Sequence, residues 1–189
     1  MAQPKRRATY QDLIDLPENR IGEIVGGELY SSPRPASPHA HAVMRISSDL
    51  TGFEGPPGDA RGPGGWCLLF EPELHFGEDV LVPDLAGWRI ERMPAVPNVP
   101  FFELAPDWVC EVISPSTGRL DRVRKMPVYA RESVPNLWFV DPLQQTLEIY
   151  ALEKSRWMLT ATHGDAEVIR ATPFEAVEIE LRRWWLKDV

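Results

Sequence analysis

The sequence predicts a mixed α/β fold, in which a central β-sheet of mixed strand direction is flanked by helices. Two observations support this prediction. Short apolar segments typical of strands recur along most of the chain, and a few stretches that begin with helix-capping residues lie between them. Because the 189 residues contain no internal repeat and no clear domain boundary, we expect one domain spanning residues 1–189.

The composition is that of a water-soluble globular protein, with 43% hydrophobic and 25% charged residues. No apolar run approaches the roughly 18 residues of a membrane span, and the first residues include no apolar signal segment. Cys67 and Cys110 are too few for a disulfide framework, so we expect reduced core cysteines in a cytoplasmic protein. The net charge of −8 opposes tight nonspecific binding of nucleic acid, but it does not exclude a local basic groove.

The first third of the chain predicts a short helix, a hairpin and a longer helix. Thr9 can cap the short helix, with Asp12 at its third position and Pro17 as its end. The glycine pair in IGEIV-GG-ELYSS is typical of a tight β-hairpin turn. Ser37 and Pro38 suit the cap and first position of a helix that runs to about Leu50.

The middle of the chain predicts strands separated by loops rich in glycine and proline. Residues 52–65 contain six glycines and three prolines, which is typical of a flexible loop. The apolar segments WCLLF, ELHF and VLVPDLAGWR follow as three strands, the last two joined by a tight turn at residues 77–79. DWVCEVIS is apolar on both faces, so it belongs in the interior of a sheet.

The last third predicts a helix and then a meander of strands. Pro127 lies within the helical pattern after SPSTG and should kink it or begin a second helical piece. NLWFVD, TLEIYAL and RWMLTAT alternate like successive strands, and FEAVEIEL can add one more.

Two acidic residues interrupt the apolar strands. Asp84 lies in VPDLAGW and Glu111 in DWVCEVIS, and a buried carboxylate needs to be neutralised, paired or bound to a cation. If the two strands are adjacent, the carboxylates can converge on a Mg²⁺ ion, which prefers oxygen ligands and retains water. Structural explanations remain for each: Asp84 can accept bonds from loop amides, and Glu111 can pair with an arginine. Paired carboxylates also serve glycoside hydrolysis, which spacing alone does not distinguish from metal binding.

The residues resemble a known pattern of nucleases. Pro83-Asp84 followed by Glu111 is similar to the PD-(D/E)XK signature of restriction-endonuclease-like enzymes. More specifically, the chain resembles the Uma family through six strings in the family's order: GEIVGGELY, SPHAH, DVLVPDLAGW, PDWVCEVISPST, LDRVRKMPVYARE and LWFVDP. The resemblance implies a restriction-endonuclease-like fold over most of the chain.

One position departs from the general signature. The residue two after the second acid is usually Lys, on the same strand face, but here it is Ile113. The Uma-like pattern instead places a lysine on the following helix, which matches Lys125. The resemblance implies that Lys125 holds the scissile phosphate or orients the attacking water, whereas the alternative is a solvated helix lysine. Lys125 is conspicuous because the chain has 16 arginines and only four lysines.

Two further residues match family positions. Glu23 matches an early acidic residue and would be a further metal ligand, unless it is a solvated hairpin residue. His39 matches a histidine at the start of the first long helix, where it would contact phosphate, unless it is an ordinary polar residue at a helix start. We expect Asp121 to cap or pair within its helix, and Tyr129 and the tryptophans to lie in the core.

The resemblance implies a metal-dependent DNA endonuclease that forms a homodimer, with Asp84, Glu111 and Lys125 as catalytic residues. Asp84, Glu111 and Glu23 would bind Mg²⁺, for which Mn²⁺ would substitute. A main rival is a non-catalytic binding or regulatory module that retains the fold, favoured by Ile113 and the acidic net charge. A hydrolase of sugars with two carboxylates is the third alternative.

Overall fold

The computed structural model describes residues 6–58 and 62–186. In these residues, two β-sheets and a small third sheet pack with three short α-helices and one longer α-helix, as a mixed α+β fold. The predicted flexible loop at residues 52–65 lies partly outside the described residues, because positions 59–61 are not among them.

The N-terminal region forms as its turn and cap residues predict. Helix α1 spans Tyr10–Ile14, and Asp12 accepts hydrogen bonds from the backbone and hydroxyl of Thr9 at 2.7 and 2.9 Å. Strands β1 (Arg20–Val25) and β2 (Glu28–Pro33) form the predicted hairpin. Its two turn glycines have φ angles of 64° and 78°, which glycine adopts without steric cost.

The longer helix, α2, spans Ser37–Leu50 and begins one residue earlier than predicted, with Ala36 as its cap. Its buried residues lie on one face and pack against the larger sheet, and they are Ala42, Val43, Ile46 and Leu50.

The predicted single strand over VPDLAGW is wrong, because the chain changes sheets there. Strand β5 (Asp79–Leu81) belongs to a four-stranded sheet of order β2-β1-β5-β4, in which β4 is Leu74–Phe76. Strand β6 (Leu85–Arg89) belongs to a different, six-stranded sheet. Residues 82–84 form the irregular link between them, since Pro83 has no N–H to donate to a strand ladder.

The six-stranded sheet is the centre of the fold, with the order β10-β9-β8-β7-β6-β3. Strands β7 and β8 are parallel and the other neighbours are antiparallel, which confirms the predicted mixed sheet. Besides β6, this sheet contains β3 (Trp66–Phe70), β7 (Trp108–Val112), β8 (Asn136–Asp141), β9 (Thr146–Glu153) and β10 (Arg156–Gly164).

Three helical pieces connect β7 to β8. A single α-helical turn, α3 (Gly118–Leu120), leads into a π-helical segment at Asp121–Lys125, and α4 (Met126–Arg131) follows. Pro127 lies in the first turn of α4, so the prediction that it begins a second helical piece is confirmed.

The C-terminal part contributes a small sheet and buried tryptophans. Of the predicted strand FEAVEIEL, only β12 (Ile179–Glu180) forms, paired with β11 (Val168–Ile169). Trp184 and Trp185 are buried beside α2 in the core. They extend the helix-side core to the end of the described chain.

The six-stranded sheet separates two apolar cores. One lies under α2 and the C-terminal tryptophans, and the other lies between this sheet, the smaller sheet and α4. Strand β7 is buried on both faces: Cys110 points to the first core, whereas Val109 points to the second. Because side chains alternate along a strand, Glu111 faces the second side, where α4 and the smaller sheet lie.

Candidate active site

The link between the two sheets is held by side chains rather than by a strand ladder. The N–H of Val82 donates to Glu23 Oε1 at 2.8 Å, and the carbonyl of Val82 accepts from Lys125 Nζ at 3.3 Å. Backbone polar groups buried without partners are costly, so Glu23 and Lys125 fix the course of the chain directly before Asp84. The site therefore forms where the two sheets meet.

Asp84 lies at the start of β6, beside the end of β7. Its Oδ2 accepts a hydrogen bond from the N–H of Val112 at 2.7 Å, and its Oδ1 lies 2.6 Å from Nε2 of His39 on α2. The side chains of His39 and Asp84 are 12% and 14% exposed, so this pair is partly accessible to solvent. Because β6 and β7 are antiparallel neighbours, Asp84 and Glu111 lie at the same end of the sheet.

Glu111 belongs to a buried cluster of charged side chains around Lys125. Lys125 Nζ lies 2.8 Å from Glu111 Oε1, 2.8 Å from Glu23 Oε1 and 3.6 Å from Asp121 Oδ1. The hydroxyl of Tyr129 donates to the same Glu111 oxygen at 2.5 Å. Lys125 and Glu111 are each only 2% exposed, so these contacts replace hydration almost completely.

The π-helical segment explains how Asp121 and Lys125 enter this cluster together. Both of its buried residues are charged, one at each end of the segment. π-helical turns are rare and often occur at functional sites, because the wider turn changes the direction in which side chains point. Tyr129 follows one turn later on α4, on the same buried side.

The buried cluster contains three acids and one lysine, and burial shifts their pKa values. Burial raises the pKa of Glu111 well above its ordinary value, with Lys125 opposing this shift and the neighbouring acids adding to it. Burial also raises the pKa of Asp121, to about 6. For Lys125, burial acts to lower the pKa, but Glu111, Glu23 and the other neighbours raise it well above the ordinary value, so the ammonium stays charged.

A cavity of about 270 Å³ opens onto these groups. It is lined by every site residue that the sequence predicted, namely Glu23, His39, Asp84, Glu111 and Lys125. Asp121, Glu71 and Arg34 also line it. Burial and the proximity of Asp84 raise the pKa of Glu71. The convergence of the five predicted residues on one cavity is what a common site requires.

Three contributions went unpredicted. Tyr129 is a core residue as expected, but it also bonds Glu111. Asp121 pairs within its helix as expected, but it does so with Lys125 and inside the site. The spacing of four residues between Asp121 and Lys125 is the signal that could have found this pair. Glu71 directly follows a strand and carries no comparable signal.

The oxygen ligands suit a divalent cation, although a complete ligand set is not preformed. Within residues 6–58 and 62–186, no group of three or more His, Cys, Asp and Glu side chains is arranged to hold a metal ion. Mg²⁺ in proteins commonly uses one or two carboxylates and keeps several waters. Asp84 and Glu111 supply two carboxyl groups at one end of the sheet, and the buried cluster holds three acids around a single lysine. Metal binding by Asp84, Glu111 and Glu23 and phosphate contact by His39 all stay predictions.

None of the helices in the described part of the chain is long and apolar enough to cross a membrane. Cys67 and Cys110 are both buried and free, as expected for core cysteines.

The comparisons with known proteins agree with this fold. A solved structure described as "a putative nuclease belonging to DUF820", from Anabaena variabilis ATCC 29413, superposes with a TM-score of 0.70. It is 20% identical in sequence, and the match covers 94% of this chain and 97% of that one. At this identity, the similarity establishes the fold alone. No curated protein matches the chain.

The family is established by the sequence itself. A family model described as "Uma2: Putative restriction endonuclease" matches residues 7–182, which is nearly the whole chain. The match includes Asp84, strand β7 with Glu111, the hairpin with Glu23 and the helical segment with Lys125. This chain therefore belongs to the Uma2 family of restriction-endonuclease-like proteins.

Proposed function

We propose that this chain is a metal-dependent endonuclease that hydrolyses phosphodiester bonds in DNA, with a site of the PD-(D/E)XK type. The observation that carries the proposal is the shared cavity: carboxylates from two adjacent strand ends meet there beside a buried, charged lysine. Family membership supports a nuclease and disfavours the sugar hydrolase considered above.

Asp84 and Glu111 would hold the cation. Lys125 and Tyr129 both bond Oε1 of Glu111, which orients this carboxylate and leaves Oε2 for a cation or a water. A bound Mg²⁺ would supply Lewis-acid activation of the phosphate and a more acidic water. Glu23 holds the Lys125 ammonium and the backbone before Asp84, so it positions both of these groups.

Lys125 contributes positive charge at a fixed place. Lys125 lines the cavity, and its acidic neighbours keep its ammonium protonated by raising its pKa. A scissile phosphate in the cavity would gain negative charge in the transition state, and a preorganised ammonium stabilises that charge without reorganising. His39, 2.6 Å from Asp84, orients this carboxylate at the rim of the cavity.

DNA cleavage tests the proposal directly. The full chain is incubated with supercoiled plasmid and with single-stranded circular DNA in Mg²⁺, Mn²⁺ or EDTA. We expect cleavage with either metal, none in EDTA, and a rate lowered by roughly 100-fold or more in Asp84→Asn. Glu153→Gln, at an exposed acid on β9, should cut like the wild type. Equal cutting by wild type and Asp84→Asn would refute the assignment.

One observation favours a second candidate, a non-catalytic binding module. The three N–H groups of Lys125 already face Glu23, Glu111 and the carbonyl of Val82, as in a purely structural ion cluster. Titration with Mn²⁺ by calorimetry separates the two functions. A catalytic site should bind Mn²⁺ in the wild type and lose it in Glu111→Gln, whereas a structural cluster should bind none.

A homodimer and a cytoplasmic location are part of the same proposal, since the family resemblance implies the first and the reduced cysteines agree with the second. Sedimentation velocity at micromolar concentration should give the mass of two 21.4 kDa chains. A monomer at all concentrations would contradict the dimer and leave the cleavage proposal intact.

A further inference from the structure

An apolar shelf adjoins the candidate active site. It is formed by Phe70 at the end of β3 together with Ala40, Val43 and Met44 of α2, and it lines a second cavity of about 350 Å³. Phe70 is 60% exposed and Met44 is 56% exposed. A large aromatic side chain with this exposure is available to a ligand.

The core does not account for the position of Phe70. One face of β3 packs toward α2. Because side chains alternate along a strand, this face carries every second residue, namely Trp66, Leu68 and Phe70. Trp66 is buried and Leu68 packs against the core, but Phe70 extends past its edge. Phe70 therefore contributes little to the packed core and remains available at the rim.

The apolar shelf is continuous with the site. Phe70 pairs across the sheet with Leu85, the residue directly after Asp84. The N–H of Glu71 donates to the carbonyl of Asp84 at 3.1 Å. Pro35, His39 and Glu71 line both cavities, so a ligand that reaches the carboxylates passes directly beside the aromatic ring.

Glu71 adds a polar edge to this apolar surface. It is half-buried, lies between the two cavities and has a φ angle of 45°, which redirects the chain directly after Phe70. Its carboxyl group can form hydrogen bonds with the amino and imino groups on the edge of a nucleobase. A planar apolar surface with one polar edge is the chemistry of a base-binding site.

Resting on the proposed function, we propose that the apolar shelf stacks an unpaired nucleobase next to the scissile phosphate, with Phe70 as the stacking ring. The substrate class is then DNA with at least one unstacked nucleotide at the cut site, either single-stranded or locally opened. In an intact duplex the bases stack on one another, so the ring of Phe70 has no base face to contact.

Binding in EDTA tests this proposal without cleavage. The dissociation constants of the full chain and of Phe70→Ala are measured by fluorescence anisotropy for a labelled dT12 and for a 12-mer of abasic sites with the same phosphates. We expect Phe70→Ala to weaken binding of dT12 by about five- to 150-fold and binding of the abasic strand by less than about twofold. Phe70→Trp should retain the affinity for dT12. Leu143→Ala, at a similarly exposed apolar residue far along the chain, is the matched control.

The outcomes separate this inference from the proposed function. Equal losses for both strands, or no binding of dT12 by the wild type, would overturn the base site even if plasmid cleavage is observed. A selective loss for dT12 supports the base site even if no cleavage is found. If Phe70→Ala instead converts a dimer into a monomer in sedimentation, the apolar shelf is a subunit contact and the inference is overturned.

Discussion

Two halves of the candidate site place carboxyl groups in different surroundings. The buried cluster, consisting of Glu23, Glu111, Asp121, Lys125 and Tyr129, is almost closed to water. The rim pair, consisting of His39 and Asp84, is partly exposed and has fewer contacts. Substitutions in the buried cluster should therefore lower the free energy of unfolding strongly. Substitutions in the rim pair should slow cleavage and change the free energy of unfolding little.

The largest expected effect on stability comes from removing the ammonium of the buried cluster. Lys125→Met leaves three buried acids without their cation, and breaking a buried ion pair in this way costs about 3–5 kcal/mol. Urea denaturation measures the free energy of unfolding. Lys154→Met, at an exposed lysine, should change it by less than about 0.5 kcal/mol. A stable Lys125→Met protein would show that the cluster is not charged as described.

The next effect is a dependence on pH in the absence of metal. The pKa of Asp121 is about 6 in the fold, against 3.8 ordinarily, so the folded state favours the protonated acid. This contribution to stability is complete below about pH 4 and is lost as the pH rises through 6. In EDTA, the wild type should lose about 2–3 kcal/mol relative to Asp121→Asn between pH 4 and pH 7. Parallel pH profiles for the two proteins would contradict the raised pKa.

A smaller effect is expected for the hydroxyl in the buried cluster. Tyr129→Phe removes the hydrogen bond to Glu111 and keeps the packed ring, so the free energy of unfolding should fall by about 1–2 kcal/mol. Tyr150→Phe is a suitable control, since its hydroxyl bonds the partly exposed Glu148 at 3.0 Å, and its loss should cost less. If the two variants lose equal stability, burial does not strengthen the Tyr129 bond.

The smallest effect on stability is expected at the rim pair. His39→Gln should change the free energy of unfolding by about 1 kcal/mol or less, because it alters one contact at the rim of a cavity, where water can replace the lost partner. The same variant should slow cleavage, because Asp84 loses the group that orients it. Stability and plasmid cleavage are measured on one preparation. A loss of stability as large as that of Lys125→Met would remove the distinction between the two halves.

Much of the fold could be predicted because its signals are local. The Gly26-Gly27 turn, the Thr9 cap, most of the apolar strands and the helical break at Pro127 each depend on neighbouring residues, and the structure contains them. The link at residues 82–84 was mispredicted because its apolar residues resemble a strand. The strands on either side of this link belong to two different sheets. Which strands they pair with depends on residues far away in the sequence.

The sequence by itself determined which residues are proposed for the chemistry, because two acids in apolar segments and an isolated lysine are unusual wherever they occur. Only the tertiary structure decided how these residues are shared between a buried cluster and a rim pair. That division arises from the antiparallel pairing of β6 with β7 and from the π-helical segment, which bring distant side chains to one end of the sheet. The burial of a charged side chain depends on all the residues packed around it, and the local sequence does not specify which residues these are.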